Sequence, residues 1–127
     1  MLRVTVYAAM FVLVASTARA DVLIHDDDVK ITVDCAKDKV VNVSGDKVQI
    51  ELTGTCDMVN ISGDEGTLKG SVLSLNVSGN DNTLALDAVD KILVSGDRNT
   101  ITYKKSVKAK KTGALSSGKN NKISQVK

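Results

Sequence analysis

The residues with the clearest chemical potential form a lysine-rich segment near the C-terminus. Five of the eight residues from 104 to 111 are lysines, and the segment itself has no acid: Lys104, Lys105, Lys108, Lys110 and Lys111. Because such a run can attract polyanions, these lysines are a candidate anion-binding site. The preferred interpretation is a solvated loop that keeps one end of the fold from polymerising, since charge runs are commonly just solvated, and anion binding is the alternative. Nucleic acid is not expected as a partner, because no aromatic stacking platform accompanies the charge.

His25 and three adjacent aspartates, Asp26 to Asp28, form the cluster with acid–base or metal potential. On an extended strand, successive side chains point to alternate sides, which scatters these groups instead of bringing them together. We therefore interpret the cluster as a charged cap on an open sheet edge. No nucleophile motif, phosphate loop or zinc spacing is present in the sequence. We expect no enzymatic activity, no metal site and no cofactor.

One segment, Gly79-Asn80-Asp81-Asn82-Thr83-Leu84, is similar to the Gly- and Asp-rich turns of calcium-binding β-rolls. Carboxylate and carbonyl oxygens are suitable calcium ligands. However, Asp46, Asp64 and Asp97 follow their glycines directly, Asp81 lies one place later, and Lys119 ends the column. Solvated turns are therefore the preferred interpretation, with a calcium-binding module as a less favoured alternative.

The first twenty residues have the features of a secretory signal peptide. Arg3 supplies a positive start, residues 4–15 are apolar, and Ala18-Arg19-Ala20 is a cleavage site of small residues. We predict that residues 1–20 are removed and that residues 21–127 form a single domain without a transmembrane segment. The protein is then exported, to the periplasm or outside the cell. The partners that suit the lysines in that location are an anionic envelope polymer, a lipid or another envelope protein.

Cys35 and Cys56 are the only cysteines, and both follow the predicted cleavage site. Disulfides persist in exported proteins, so we predict a structural disulfide between them. A reactive thiol pair is the alternative, but it lacks the close Cys-x-x-Cys spacing that tunes thiolate chemistry.

Charge is distributed unevenly along the predicted mature chain. All fifteen acids lie within residues 21–103, whereas residues 104–127 contain eight lysines and no acid. The sequence therefore predicts an acidic body with a basic end.

These groups are positioned by a repeated sequence unit. Each unit contains an alternating apolar segment, a Ser-Gly turn and a second alternating apolar segment, and this period of two is that of a β-strand. The five turns are Ser44-Gly45, Ser62-Gly63, Ser78-Gly79, Ser95-Gly96 and Ser117-Gly118. A degenerate first copy places Asp26 where the others have glycine. Repeats of this length predict stacked coils.

The fold class we predict is an all-β, small parallel β-solenoid (β-helix) of about six coils. Identical residues recur in columns, such as Thr67, Thr83 and Thr100, and parallel stacking brings identical side chains together. The alternative is an antiparallel β meander or sandwich, because Gly and Asn tolerate the positive φ of hairpin turns. In the solenoid, the disulfide staples the first coil to the second, and the polar last copy serves as a terminal cap.

The unit Leu93-Val94-Ser95-Gly96-Asp97-Arg98-Asn99-Thr100-Ile101 resembles the Val-x-Val-Ser-Gly-x-x-Asn-Thr repeat of a family of small exported bacterial proteins classed as a domain of unknown function. The likeness covers roughly residues 29–126. The segment Gly66-Thr67-Leu68-Lys69-Gly70 departs from the pattern and predicts a poor second strand there. The resemblance implies an envelope-located β-solenoid and identifies no catalytic residue. We therefore expect a non-enzymatic structural or interaction module.

Overall fold

The computed structural model describes residues 20–36 and 38–126, and every regular element in that part of the chain is a β-strand. The predicted signal peptide, residues 1–20, lies outside the described residues except for Ala20, where the first strand begins. The strands are β1 (Ala20–Ile24), β2 (Lys30–Asp34), β3 (Asp38–Val43), β4 (Gln49–Ile61), β5 (Thr67–Val77), β6 (Thr83–Val94), β7 (Thr100–Lys105), β8 (Gly113–Ser116) and β9 (Lys122–Gln125).

These strands pair in parallel throughout, in the order β1-β3-β4-β5-β6-β7-β9, with β2 on β4 and β8 on β6. Parallel pairing confirms the β-solenoid and rules out the antiparallel meander, since neighbouring strands of a meander run in opposite directions. The register also matches the repeat: Val43 pairs with Ile61, Ile61 with Val77, and Val77 with Val94. We number the coils 1 to 6 by their central turn residues, which are Asp26, Gly45, Gly63, Gly79, Gly96 and Gly118.

The core consists of apolar columns that run along the solenoid axis. Val, Ile and Leu side chains suit such narrow layers between strands. The largest fully buried side chains are Leu68, Leu75, Leu84, Ile92, Ile101, Val41, Val48, Val59, Val72, Val77, Val89 and Val94. In coil 6 the same columns hold the exposed residues Ala114, Ser116 and Gln125, as expected of a terminal coil.

The repeated glycines allow neighbouring coils to approach closely at the turn. A Cβ atom on Gly63, Gly79, Gly96 or Gly118 would overlap the carbonyl oxygen of the preceding coil's glycine. In the turns, positive φ does not occur at the repeated glycines but two residues after the glycine place. In all six coils that place is taken by a residue other than glycine: Asp28, Lys47, Glu65, Asp81, Arg98 and Asn120, with φ between 55° and 60°.

Two ladders of side chains satisfy the backbone groups of the turns. In the place after the glycine, the Oδ1 atom of Asp27, Asp46, Asp64, Asn80 or Asp97 accepts the backbone N–H of the next coil at 2.7–2.9 Å. Two places further along, Asn82 and Asn99 are fully buried, and their Nδ2 atoms donate to glycine carbonyls of the preceding coil at 3.1 and 2.9 Å. The asparagine ladder thus supplies hydrogen bonds to buried backbone groups that water does not reach, whereas the first ladder runs along the exposed to partly buried side of the turns.

The prediction of a poor second strand at residues 66–70 is wrong. Residues Thr67 to Gly70 begin β5; the first three of them pair with both neighbouring coils, and Gly70 pairs with Leu86. Gly70 has φ of 135°, and a Cβ atom there would lie 2.5 Å from the Cβ atom of Leu52. The glycine is therefore needed where the strand passes the side chain of the preceding coil.

Candidate functional site

The lysine-rich segment consists of the last two residues of β7 and the loop that follows them, at the corner between coil 5 and coil 6. We call residues 104–112 together the lysine loop. In coil 4, Ala88 and Lys91 are separated by two residues, Val89 and Asp90. Their partners in the next layer are Lys105 and Gly113, so residues 106–112 cover the same interval. Because seven residues span the distance that two residues span in the coil below, the additional residues bulge outward from the solenoid.

The lysine loop is anchored by the carboxylate of Asp90, which belongs to the preceding coil. Its Oδ1 atom accepts the backbone N–H groups of Val107 at 2.6 Å, Lys108 at 3.1 Å and Ala109 at 3.3 Å. The Oδ2 atom also accepts from Lys108 at 3.1 Å. Hydrogen bonds to an ionised acceptor are among the stronger ones, so Asp90 fixes the backbone of the loop.

The pKa of Asp90 reflects this anchoring. Desolvation acts to raise the pKa, but the hydrogen bonds from the N–H groups of Lys108, Val107 and Ala109, together with the charge of Lys108, outweigh it. The pKa of Asp90 therefore lies below the ordinary value of an aspartate, and the carboxylate stays ionised at neutral pH.

Two hydroxyl groups close the base of the lysine loop. The Oγ1 atom of Thr112 donates to the carbonyl oxygen of Val89 at 2.6 Å, and Thr112 is buried. The Oγ atom of Ser106 lies 3.0 Å from the same Oγ1 atom. Because the proton of Thr112 is committed to Val89, Ser106 is the donor of the second bond.

All five lysines of the candidate anion-binding site are exposed: Lys104, Lys105, Lys108, Lys110 and Lys111. The Nζ atom of Lys104 lies 3.7 Å from Oδ1 of Asp87, and both side chains of this pair are largely exposed. Such a surface pair contributes little to stability, so Lys104 can exchange Asp87 for another anion. The loop therefore presents five ammonium groups on a backbone whose position is fixed.

Sequence reasoning missed the acids beside the lysine loop. The segment itself contains no acid, but the stacking of coil 5 on coil 4 brings Asp87 and Asp90 to the base of the loop. The available signal was the repeat spacing, because Asp90 precedes the loop by one coil. Asp90 serves the loop as a structural anchor, whereas the lysines themselves point to solvent.

The cluster at coil 1 divides among four columns of the solenoid. His25 takes the place of the turn serines, and its Nδ1 atom lies 2.9 Å from Oγ of Ser44. Asp26 takes the glycine place, Asp27 accepts the N–H of Asp46 at 2.7 Å, and Asp28 has positive φ. Among the described residues, no three His, Cys, Asp or Glu side chains are grouped so that they could hold a metal ion.

The turn acids singled out for calcium are engaged in the protein's own contacts. Asp64 accepts the N–H of Asn80 at 2.8 Å, and Asp97 accepts the N–H of Lys119 at 2.9 Å. Asp81 binds Arg98 through two hydrogen bonds, which hold the pKa of Asp81 below its ordinary value. Asp64, Asp81 and Asp97 therefore have a structural role in holding neighbouring turns together.

A disulfide joins Cys35, after β2 in coil 1, to Cys56, in β4 at the corner of coil 2. The two Cα atoms are 4.8 Å apart, and both side chains are fully buried. The bond staples the first coil to the second, as the sequence predicts. It lies in coils 1 and 2, whereas the lysine loop follows coil 5.

The fold and the basic loop define a β-solenoid with a charged surface at one end. Residues 64–114 are similar to a family described as "Protein of unknown function (DUF3060)". The matched segment extends from the turn of coil 3 through the lysine loop to β8. Comparison with curated proteins and with solved structures gives no match. Within the part of the chain that the structure describes, no helix is long and apolar enough to cross a membrane.

Proposed function

We propose that this protein is an exported, non-enzymatic interaction module that binds anionic polymers or surfaces of the bacterial envelope through its lysine loop. The observation that carries the proposal is that Asp90 holds the backbone of residues 107–109 in a segment that carries five exposed lysines. A loop held in one conformation loses less conformational entropy on binding than a free chain. Export is supported by the predicted signal peptide and by the disulfide between Cys35 and Cys56.

A structural role is favoured over catalysis by the environment of the ionisable groups. Three described groups have a displaced pKa, namely Asp81, Asp90 and Arg98. Asp81 and Arg98 bind each other across neighbouring turns, and Asp90 anchors the lysine loop. Each displacement thus arises from a contact that holds the solenoid together.

The experiment that tests the proposal is titration of the purified, oxidised protein with long-chain polyphosphate at low and moderate salt. A variant with all five loop lysines replaced by glutamine removes the site. A matched control replaces five lysines that precede coil 4 in the chain, Lys30, Lys37, Lys39, Lys47 and Lys69, so that the net charge changes equally.

We expect the wild-type protein to bind polyphosphate with an affinity that falls as salt rises, because screening weakens contacts between exposed charges. The loop variant should lose binding, whereas the control variant should retain most of it. Equal losses in the two variants would show that net charge alone governs binding and would contradict the proposal. Absence of binding by the wild-type protein would also contradict it.

A further inference from the structure

Two exposed leucines lie side by side on the last two coils. Leu93 on β6 pairs in register with Leu115 on β8, and their exposed fractions are 45% and 70%. The same column in coils 2 to 4 holds Asn42, Asn60 and Asn76, whose side-chain amides bind one another at 2.8 Å. At coils 5 and 6 an apolar pair thus replaces a polar ladder.

This apolar pair adjoins the lysine loop along the chain. The loop ends at Thr112 and β8 begins at Gly113, so Leu115 follows the loop by three residues. On the outer face of β6, the exposed Lys91 lies two residues before Leu93. Adjacent outward residues of a strand are about 7 Å apart, which places a positive charge close to the leucine pair.

Positive charge surrounds this end of the solenoid. Lys119 and Lys122 are exposed on coil 6, in addition to the five lysines of the loop. The chain contains no acid after Asp97. A flat anionic partner therefore meets lysines and an apolar pair at the same end of the molecule.

We infer that the C-terminal end, comprising the lysine loop, Leu93 and Leu115, docks onto an anionic lipid bilayer. This inference rests on the proposed function and names its partner. Soluble polyanions offer charge alone, whereas a bilayer also offers an apolar phase that receives leucine side chains. The lysines bind the lipid headgroups, and Leu93 and Leu115 enter the boundary between headgroups and acyl chains.

The test is flotation with vesicles of phosphatidylcholine alone and of phosphatidylcholine mixed with phosphatidylglycerol. The site variant is Leu93→Ser combined with Leu115→Ser. The matched control is Leu23→Ser, because Leu23 occupies the same column at the opposite end of the solenoid and is 61% exposed. Circular dichroism confirms that each variant retains its strands, and titration with polyphosphate reports the lysine loop separately.

We expect the wild-type protein and the Leu23→Ser variant to bind the anionic vesicles and to bind neutral ones weakly. The double variant should lose about tenfold or more in affinity for anionic vesicles, because it lacks the two leucine side chains whose transfer from water into the bilayer favours binding. Its affinity for polyphosphate should be unchanged. Unchanged vesicle binding by the double variant would overturn the inference, because the contact would be electrostatic only. Binding of polyphosphate without vesicle binding would overturn the inference and leave the proposed function standing. If the wild-type protein bound neither polyphosphate nor vesicles, the inference and the proposed function would both be overturned.

Discussion

Replacing Gly79 by alanine tests the close approach of neighbouring coils. A Cβ atom at this position overlaps the carbonyl oxygen of Gly63 and lies 2.7 Å from its carbonyl carbon. Two carbon atoms in good contact are about 3.5–4.0 Å apart. The turns of coils 3 and 4 must therefore separate by about 1 Å, because the obstacle is backbone and cannot rotate away.

The cost follows from the hydrogen bonds that cross this gap. The N–H of Asn80 donates to Asp64 at 2.8 Å, and Nδ2 of Asn82 donates to the Gly63 carbonyl at 3.1 Å. An opening of about 1 Å breaks both bonds, of which the first is partly buried and the second buried, and a buried group left without a partner costs about 1–3 kcal/mol. With the backbone contacts beside them, the loss is about 3–6 kcal/mol, a large part of the stability of a domain of this size.

Thermal unfolding followed by circular dichroism measures the effect. We expect Gly79→Ala to lower the Tm by roughly 15–30 °C. Gly113→Ala is the matched control, because Gly113 is exposed on β8 and a Cβ atom there meets no atom within 4 Å. We expect it to leave stability unchanged or to raise it by about 0.4–1 kcal/mol, through reduced freedom of the unfolded chain. Equal Tm values for the two variants would refute the proposed role of the repeated glycines.

Three further predictions concern the disulfide, the asparagine ladder and the anchor of the loop. Replacing Cys35 and Cys56 by alanine should cost about 3 kcal/mol, from the loop that the bond closes in the unfolded chain, and urea unfolding with and without reductant checks this; equal midpoints would contradict it. Asn99→Ala should cost about 2–5 kcal/mol in urea unfolding, because it leaves two buried backbone groups of coil 4, the N–H of Asn82 and the carbonyl of Gly79, without their partner; a loss below about 1 kcal/mol would argue against the ladder. Because the folded pKa of Asp90 lies below its unfolded value of about 3.9, its bonds to residues 107–109 should be complete above that pH and be lost as pH falls through the folded pKa. Amide NMR shifts that stay constant through this acid range, or that are unaffected by Asp90→Ala, would contradict the anchoring.

The stacking of the coils could be predicted from the sequence because the repeat constrains it strongly. Apolar residues alternate on both sides of each turn, and a shift of one residue would turn every core side chain to solvent. Asp26 was placed correctly at the first turn, since Ile24 pairs with Val43 two residues before Gly45. Columns of like residues then distinguished parallel stacking from hairpins.

The positive φ at Lys47, Glu65 and Arg98 could not be predicted in the same way. Residues of these types avoid the left-handed region, so local preference argues against it. The stacked turns impose this conformation at the same place in every coil. The repeat, not the individual residue, determines the backbone there.

The anchor of the lysine loop was also beyond local reasoning. Asp90 and Val107 are far apart in sequence, and their contact depends on how far the extra residues project from the corner. The lysines were visible as a charge run, but the run does not show whether its backbone is held. The position of the loop backbone depends on the carboxylate of Asp90, which belongs to the preceding coil.

Mapping the bound surface by NMR tests the central claim most directly. Backbone amide signals of the oxidised protein are followed as long-chain polyphosphate is added at low salt. We expect the shifted signals to be concentrated in residues 104–112, with smaller shifts at Lys119 and Lys122 on coil 6. Shifts concentrated on coils 1 to 4, or no shifts at any polyphosphate concentration, would contradict the assignment of the lysine loop as the binding site.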